Sequence, residues 1–224
     1  MRPADGVRTG ARTPRRAWGT ARRIDVADQV DQADLAAARA QLGRPPRGVR
    51  AVAHRCPCGL PDVLETAPRL PDGTPFPTLF YLTCPKAASA IGTLESSGLM
   101  KRMQARLAED PELAEAYRAA HEDYLDRRDR AAGEEGMEPL PRDMQSAGGM
   151  PGRVKCLHAL VAHELAAPGV NPFGREALDA LPRWWADGPC VPDDVTNDVT
   201  NGATNGATNG ATNEATRTDG RTGA

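Results

Sequence analysis

Apolar positions recur with different periods along this chain, and the changes of period mark out its elements. Asp31 to Leu42 fits a short helix, with acidic residues at its start and Gly43 suited to the C′ position. Arg44-Pro45-Pro46-Arg47-Gly48 stops it. From Val49 the period falls to two. Val52, His54, Cys56 and Cys58 share one parity, so an extended chain places them on one face, and Pro57 suits an edge strand or a knuckle. Gly59-Leu60-Pro61 turns the chain into a second strand at Val63 to Thr66. After the turn Pro71-Asp72-Gly73-Thr74-Pro75, a third strand runs from Thr78 to Thr83 and ends at Cys84. Phe80, Leu82 and Cys84 share a parity, so an antiparallel meander carries Cys84 towards Cys56 and Cys58.

Helical spacing follows. Ala87 to Ser97 and Leu99 to Ala108 are split by Gly98, and Asp110-Pro111 opens a further helix with an N-cap and a proline at N1. Leu113, Ala116, Tyr117, Ala120, Tyr124 and Arg128 lie on roughly one side of it. Residues 131–149 read as a loop, and a last long helix is expected from Pro151 to Ala166. Asn171-Pro172-Phe173-Gly174 reads as a turn, followed by a short segment in which Trp184-Trp185 caps the core. A small antiparallel meander packed with several helices is an α+β fold.

Composition sets the boundaries. Residues 1–27 hold seven arginines and almost no large aliphatic side chains, and residues 193–224 repeat a Thr-Asn-Gly-Ala tetrad. Neither stretch can bury enough apolar area to offset the entropy of ordering. The expectation is a disordered basic arm at 1–27, one domain at 28–192 and a disordered tail at 193–224. The formal net charge is −2, and the middle of the chain is mildly acidic once the basic arm is set aside. That balance argues against nucleic acid as a partner. Arg15-Arg16 is not followed by an apolar run, so it does not read as an export signal, and no apolar run is long enough to span a membrane. A cytoplasmic location follows as an expectation. There the five cysteines stay reduced and serve as ligands, nucleophiles or core residues.

Three chemistries compete for them. Thiolates bind zinc or an iron–sulfur cluster, and a tetrahedral site needs four donors. Cys56, Cys58, Cys84 and Cys156 are the expected set, with His54, His158, His163 and Cys190 as substitutes, and with zinc ahead of iron–sulfur. The plainer reading is that the cysteines are small buried residues. Secondly, Ser146, Gly148 and Gly149 lead into the helix expected at Pro151. Its unpaired N–H groups, with Arg153 and Lys155, suit a small anionic ligand such as phosphate, or else the glycines merely permit the turn. Thirdly, Cys156 near that helix start is a candidate nucleophile towards an anionic substrate, with His163 or His54 as base. On a helix at about 100° per residue Cys156 and His163 share a stripe but lie about 10.5 Å apart, too far to ligate one ion comfortably. His158 projects elsewhere and reads as a core-edge histidine. A non-catalytic interaction module is the remaining reading.

The segments Arg47 to Pro61, Pro68 to Thr78 and Ser146 to His163, with Gly169-Val170-Asn171-Pro172, together resemble the bacterial family catalogued as domain of unknown function 501. The resemblance covers about residues 34–181 and leaves both tails outside. It implies a cytosolic protein of actinobacterial type and brings no activity or catalytic residues with it.

Overall fold

The computed structural model describes residues 28–144 and 146–192. The arm at 1–27 and the tail at 193–224 lie outside these residues. Strands β1 (Asp28–Gln29), β2 (Val49–Arg55), β3 (Pro61–Thr66) and β4 (Phe80–Leu82) form one antiparallel sheet in chain order. Six helices accompany it among the described residues: α1 (Gln32–Leu42), α2 (Pro85–Ser96), α3 (Leu99–Glu109), α4 (Pro111–Glu134), α5 (Leu157–Ala166) and α6 (Pro172–Ala180). The fold is the expected α+β meander with helices.

The local signals explain most of these elements. Asp31 caps α1 reciprocally with Asp34, and Gly43 ends it in the left-handed region at φ 66°. Asp110 accepts from the Glu112 and Leu113 N–H groups while Pro111 opens α4. The sheet then has two apolar faces to cover. On one, Val52 and Leu64 pack against Ala38 of α1. On the other, Ala53, Val63 and Phe80 join the main core, where α5 lies against β2, β3 and β4. Leu157, Leu160 and Val161 of α5 are fully buried, each worth about 1.5–3 kcal/mol relative to exposure. Helices α2 and α6 also flank α5. Gly174 permits the closest approach: a Cβ there would sit 2.3 Å from the Leu160 carbonyl oxygen.

Several expected boundaries move. The β2 parity breaks, because register shifts lie between Val52 and His54 and again between His54 and Arg55. Val52 therefore faces α1 while Cys56 enters the main core. Helix α4 continues through residues 131–134, where Ala131 and Ala132 are buried, so the long loop starts later than expected. Helix α5 starts at Leu157 instead of Pro151, and Cys156 is its N-cap. The stretch read as a turn at Asn171-Pro172 is the start of α6, since Asn171 Oδ1 accepts the Gly174 N–H at 2.8 Å and Pro172 occupies N1.

Candidate functional site

Helix α2 carries a separate chemical cluster at each end. Its N-cap is Cys84, whose Sγ accepts the Ala87 N–H at 3.4 Å. Beside it lies the turn between β2 and β3. There the Cys56 N–H donates to the Leu60 carbonyl at 2.9 Å, the Gly59 N–H to the Cys56 carbonyl at 2.8 Å, and Gly59 takes φ 90°. This tight knuckle suits Cys-Pro-Cys-Gly, because the glycine supplies the left-handed residue that reverses the chain. The segment after α6 completes the cluster. Lys86 Nζ donates to the Asp187 and Gly188 carbonyls, both at 3.1 Å, which holds the chain just before Cys190 against the start of α2.

The sulfurs of Cys56, Cys84 and Cys190 all lie within 4.8 Å of one another, and each of these residues is buried. Cys190 Sγ is 2.9 Å from Cys84 Sγ and 3.4 Å from Cys58 Sγ. All five cysteines are free thiols. Hydrogen bonds from Cys190 and Cys56 bring the Cys84 thiol below its ordinary pKa despite burial. Bonding to Cys56 and Cys84, together with burial, pushes Cys190 up. The two thiols therefore titrate as a pair. Three sulfurs set this way, with Cys58 beside Cys190, can hold a metal ion. The expected set of Cys56, Cys58, Cys84 and Cys156 is therefore rearranged: the first three stand with Cys190, and Cys156 does not join them.

Cys156 lies at the far end of α2. As N-cap of α5 it sits where the Leu157 N–H donates to Glu95 Oε1 at 2.7 Å. Cys84 and Glu95 are one helix length apart on α2, roughly 16 Å at 1.5 Å per residue, which separates the two clusters. The partner of Cys156 is His158, with Sγ 4.0 Å from Nδ1. That nitrogen also lies 3.3 Å from Glu95 Oε1, while Nε2 donates to the Ala88 carbonyl at 3.1 Å. Contact with Cys156 raises His158 to about 9; burial opposes the shift and Glu95 adds to it. Burial raises the Cys156 thiol, but His158 and the Ala159 backbone outweigh this and leave it below its ordinary value. Glu95 had no spacing signal to reveal it, because its role depends on how α2 crosses α5.

The histidines and Ser146 among the remaining expected site residues have other partners. His163 is fully buried, with Nε2 3.0 Å from Asp123 Oδ2 and Nδ1 3.3 Å from Asn171 Nδ2, and it stacks on Phe80. His54 Nδ1 lies 2.6 Å from Oδ1 of the buried Asp62. Ser146 Oγ is 2.8 Å from His121 Nδ1. Gly148 and Gly149 take φ 66° and 95°, and a Cβ on them would meet Leu160 Cδ2 at 2.5 Å and the Arg153 oxygen at 2.7 Å respectively. Their absent side chains thus make room for α5 and for the loop's own backbone. Arg153 and Lys155 are exposed and precede the helix. The Leu157 N–H at the start of α5 is answered by the chain's own Glu95 carboxylate.

A family model described as protein of unknown function (DUF501) matches residues 52–179, more than half of the chain. The chain belongs to that family. No curated protein and no solved structure matches it. The matched span holds Cys56, Cys58, Cys84, Glu95, Cys156 and His158, and Cys190 lies beyond it. No helix among the described residues is long and apolar enough to cross a membrane.

Proposed function

We propose that the protein is a zinc-binding domain in which Cys56, Cys58, Cys84 and Cys190 hold one structural ion. The observation that carries this reading is the convergence of sulfurs from three distant stretches of chain on one buried point. Four thiolates about 2.3 Å from a tetrahedral zinc lie about 3.8 Å from one another; Cys190 Sγ lies 2.9 Å from Cys84 and 3.4 Å from Cys58, and Cys56, Cys84 and Cys190 stay within 4.8 Å of one another. An iron–sulfur cluster needs several inorganic atoms between its thiolates, whereas the sulfurs of Cys56, Cys84 and Cys190, within 4.8 Å of one another, leave space for a single ion. The donor set also favours zinc over hard cations, which prefer oxygen.

Bound zinc supplies a cross-link, since all four positions are filled by protein and none is left for a substrate. The chain prepares the donors. The start of α2 presents its Ala87 N–H to Cys84 and favours the thiolate, and the knuckle fixes the separation of Cys56 and Cys58. Lys86 holds the chain leading to Cys190 in place before any ion arrives. The test is elemental analysis of the full chain purified under reducing conditions, beside a Cys84→Ser variant. The wild type carries one equivalent of zinc that the variant lacks. Equal zinc contents, or a wild type without metal, overturn the reading.

A further inference from the structure

We infer that Glu95, Cys156 and His158 form a second metal site, an open one, that takes a borderline divalent ion such as zinc and leaves a coordination position free for an oxygen ligand. Their donor atoms lie within 4.8 Å of one another. They come from two helices, Glu95 from the last turn of α2 and the other two from the start of α5.

The orientation of the His158 ring decides between this site and a nucleophile with its base. In a catalytic triad the base turns one nitrogen to the nucleophile and the opposite nitrogen to the orienting acid. Here Cys156 Sγ at 4.0 Å and Glu95 Oε1 at 3.3 Å both face Nδ1. The opposite nitrogen, Nε2, meets the Ala88 carbonyl at 3.1 Å. A carbonyl only accepts, so Nε2 carries a hydrogen, and Nδ1 is the nitrogen that faces the point where sulfur and carboxylate meet and exchanges its proton for a metal ion. Metal-bound imidazoles are held this way, the far N–H fixed by a carbonyl or carboxylate.

The other two donors are placed as well. Glu95 Oε1 accepts the Leu157 N–H at 2.7 Å; this fixes the carboxylate and leaves most of its lone pairs unused. Cys156 as N-cap has φ −153°, outside the helix, which swings its sulfur back towards His158 only two residues on. One sulfur, one nitrogen and one carboxylate oxygen make a donor set for zinc, and three protein ligands leave a fourth position open. The side chains of His158 and Glu95 are 32% and 23% exposed, so that position reaches solvent. The four-cysteine cluster is the reverse case, with three of its residues at 5% exposure or less.

The test is a titration of reduced, metal-free full chain with Co²⁺, following the thiolate-to-cobalt absorption. The wild type is expected to take two equivalents. Cys156→Ser and His158→Asn are each expected to take one, with only the four-sulfur spectrum remaining. Cys84→Ser loses that spectrum and keeps the mixed-donor one. The proposal is overturned if Cys156→Ser and His158→Asn, folded by far-ultraviolet circular dichroism, still bind two ions. It is equally overturned if the wild type binds only the ion that Cys84→Ser removes. Alkylation of Cys156 gives a readout that needs no substitution at the site: Co²⁺ added to Cys84→Ser is expected to slow it at least tenfold, and unchanged rapid alkylation marks a free nucleophilic thiol instead. Loss of one ion in Cys156→Ser with none lost in Cys84→Ser leaves this site standing and removes the four-cysteine reading.

Discussion

Replacing Cys190 by serine probes how much the four-cysteine cluster stabilises the fold. A metal bridging Cys84 and Cys190 ties together residues separated by 106 positions. By analogy with a disulfide, closing a loop of about 100 residues removes roughly 4.7 kcal/mol of unfolded-chain entropy at most. Part of the anchoring survives the substitution. Trp184 and Val191 stay packed in the core, and the two hydrogen bonds from Lys86 to this segment remain. The expected loss is therefore about 2–4 kcal/mol, which for a domain of this size lowers Tm by roughly 5–15 °C. Thermal unfolding followed by circular dichroism under reducing conditions measures it, with and without a strong chelator. Chelator lowers the wild-type Tm by a similar amount and moves Cys190→Ser less. If the two proteins melt together and chelator shifts neither, the cluster is a set of core thiols and the reasoning fails.

Two further outcomes test the packing around α5. Gly174→Ala gains about 1 kcal/mol in helix propensity, but its Cβ meets the Leu160 backbone oxygen at 2.3 Å, an overlap that no rotamer relieves. Overpacking of about 3 kcal/mol wins, so the urea midpoint falls; a midpoint at or above wild type contradicts the α5–α6 geometry. Asp123→Asn reports on the pair with buried His163. Burial raises the Asp123 carboxyl, but hydrogen bonds with His163 and Arg127 outweigh it and hold the group below its ordinary 3.8. A carboxyl lowered on folding contributes stability that is full above the unfolded pKa and fades as pH falls towards the folded one. Stability against pH thus falls less steeply below pH 3.8 in Asp123→Asn than in wild type; parallel curves there refute the assignment.

Much of the fold is legible from local chemistry. Asp31, Gly43 and Asp110-Pro111 act within a turn of their own position, and each caps the helix it announces. The shared parity of Phe80, Leu82 and Cys84 survives because β4 has regular pairing with β3. Where such signals are ambiguous, packing decides. Asn171-Pro172 serves a turn or a helix start equally well until Phe173 and Ala177 find a buried face. Pro151 suits a helix start too, yet the Gly148 and Gly149 carbonyls accept N–H groups from Lys155 and Arg153 and hold the loop out of the helix until Leu157.

The site divides in the same way. Cys56, Cys58 and Cys84 are near in sequence and joined by a meander, so strand order brings them to one end of the sheet, while the bulges of β2, and not its parity, turn Cys56 into the main core. That Cys190 completes the group depends on a chain returning after six helices, which no spacing encodes. The 100° rule placed Cys156 on the His163 stripe, but it applies only to residues with helical dihedrals, and an N-cap at φ −153° is outside its reach. Residue types and short-range order thus belong to the sequence by itself. The sorting of five thiols into a largely buried cysteine cluster and a Cys–His–Glu group was decided by tertiary structure, because the length of α2 keeps the two ends apart.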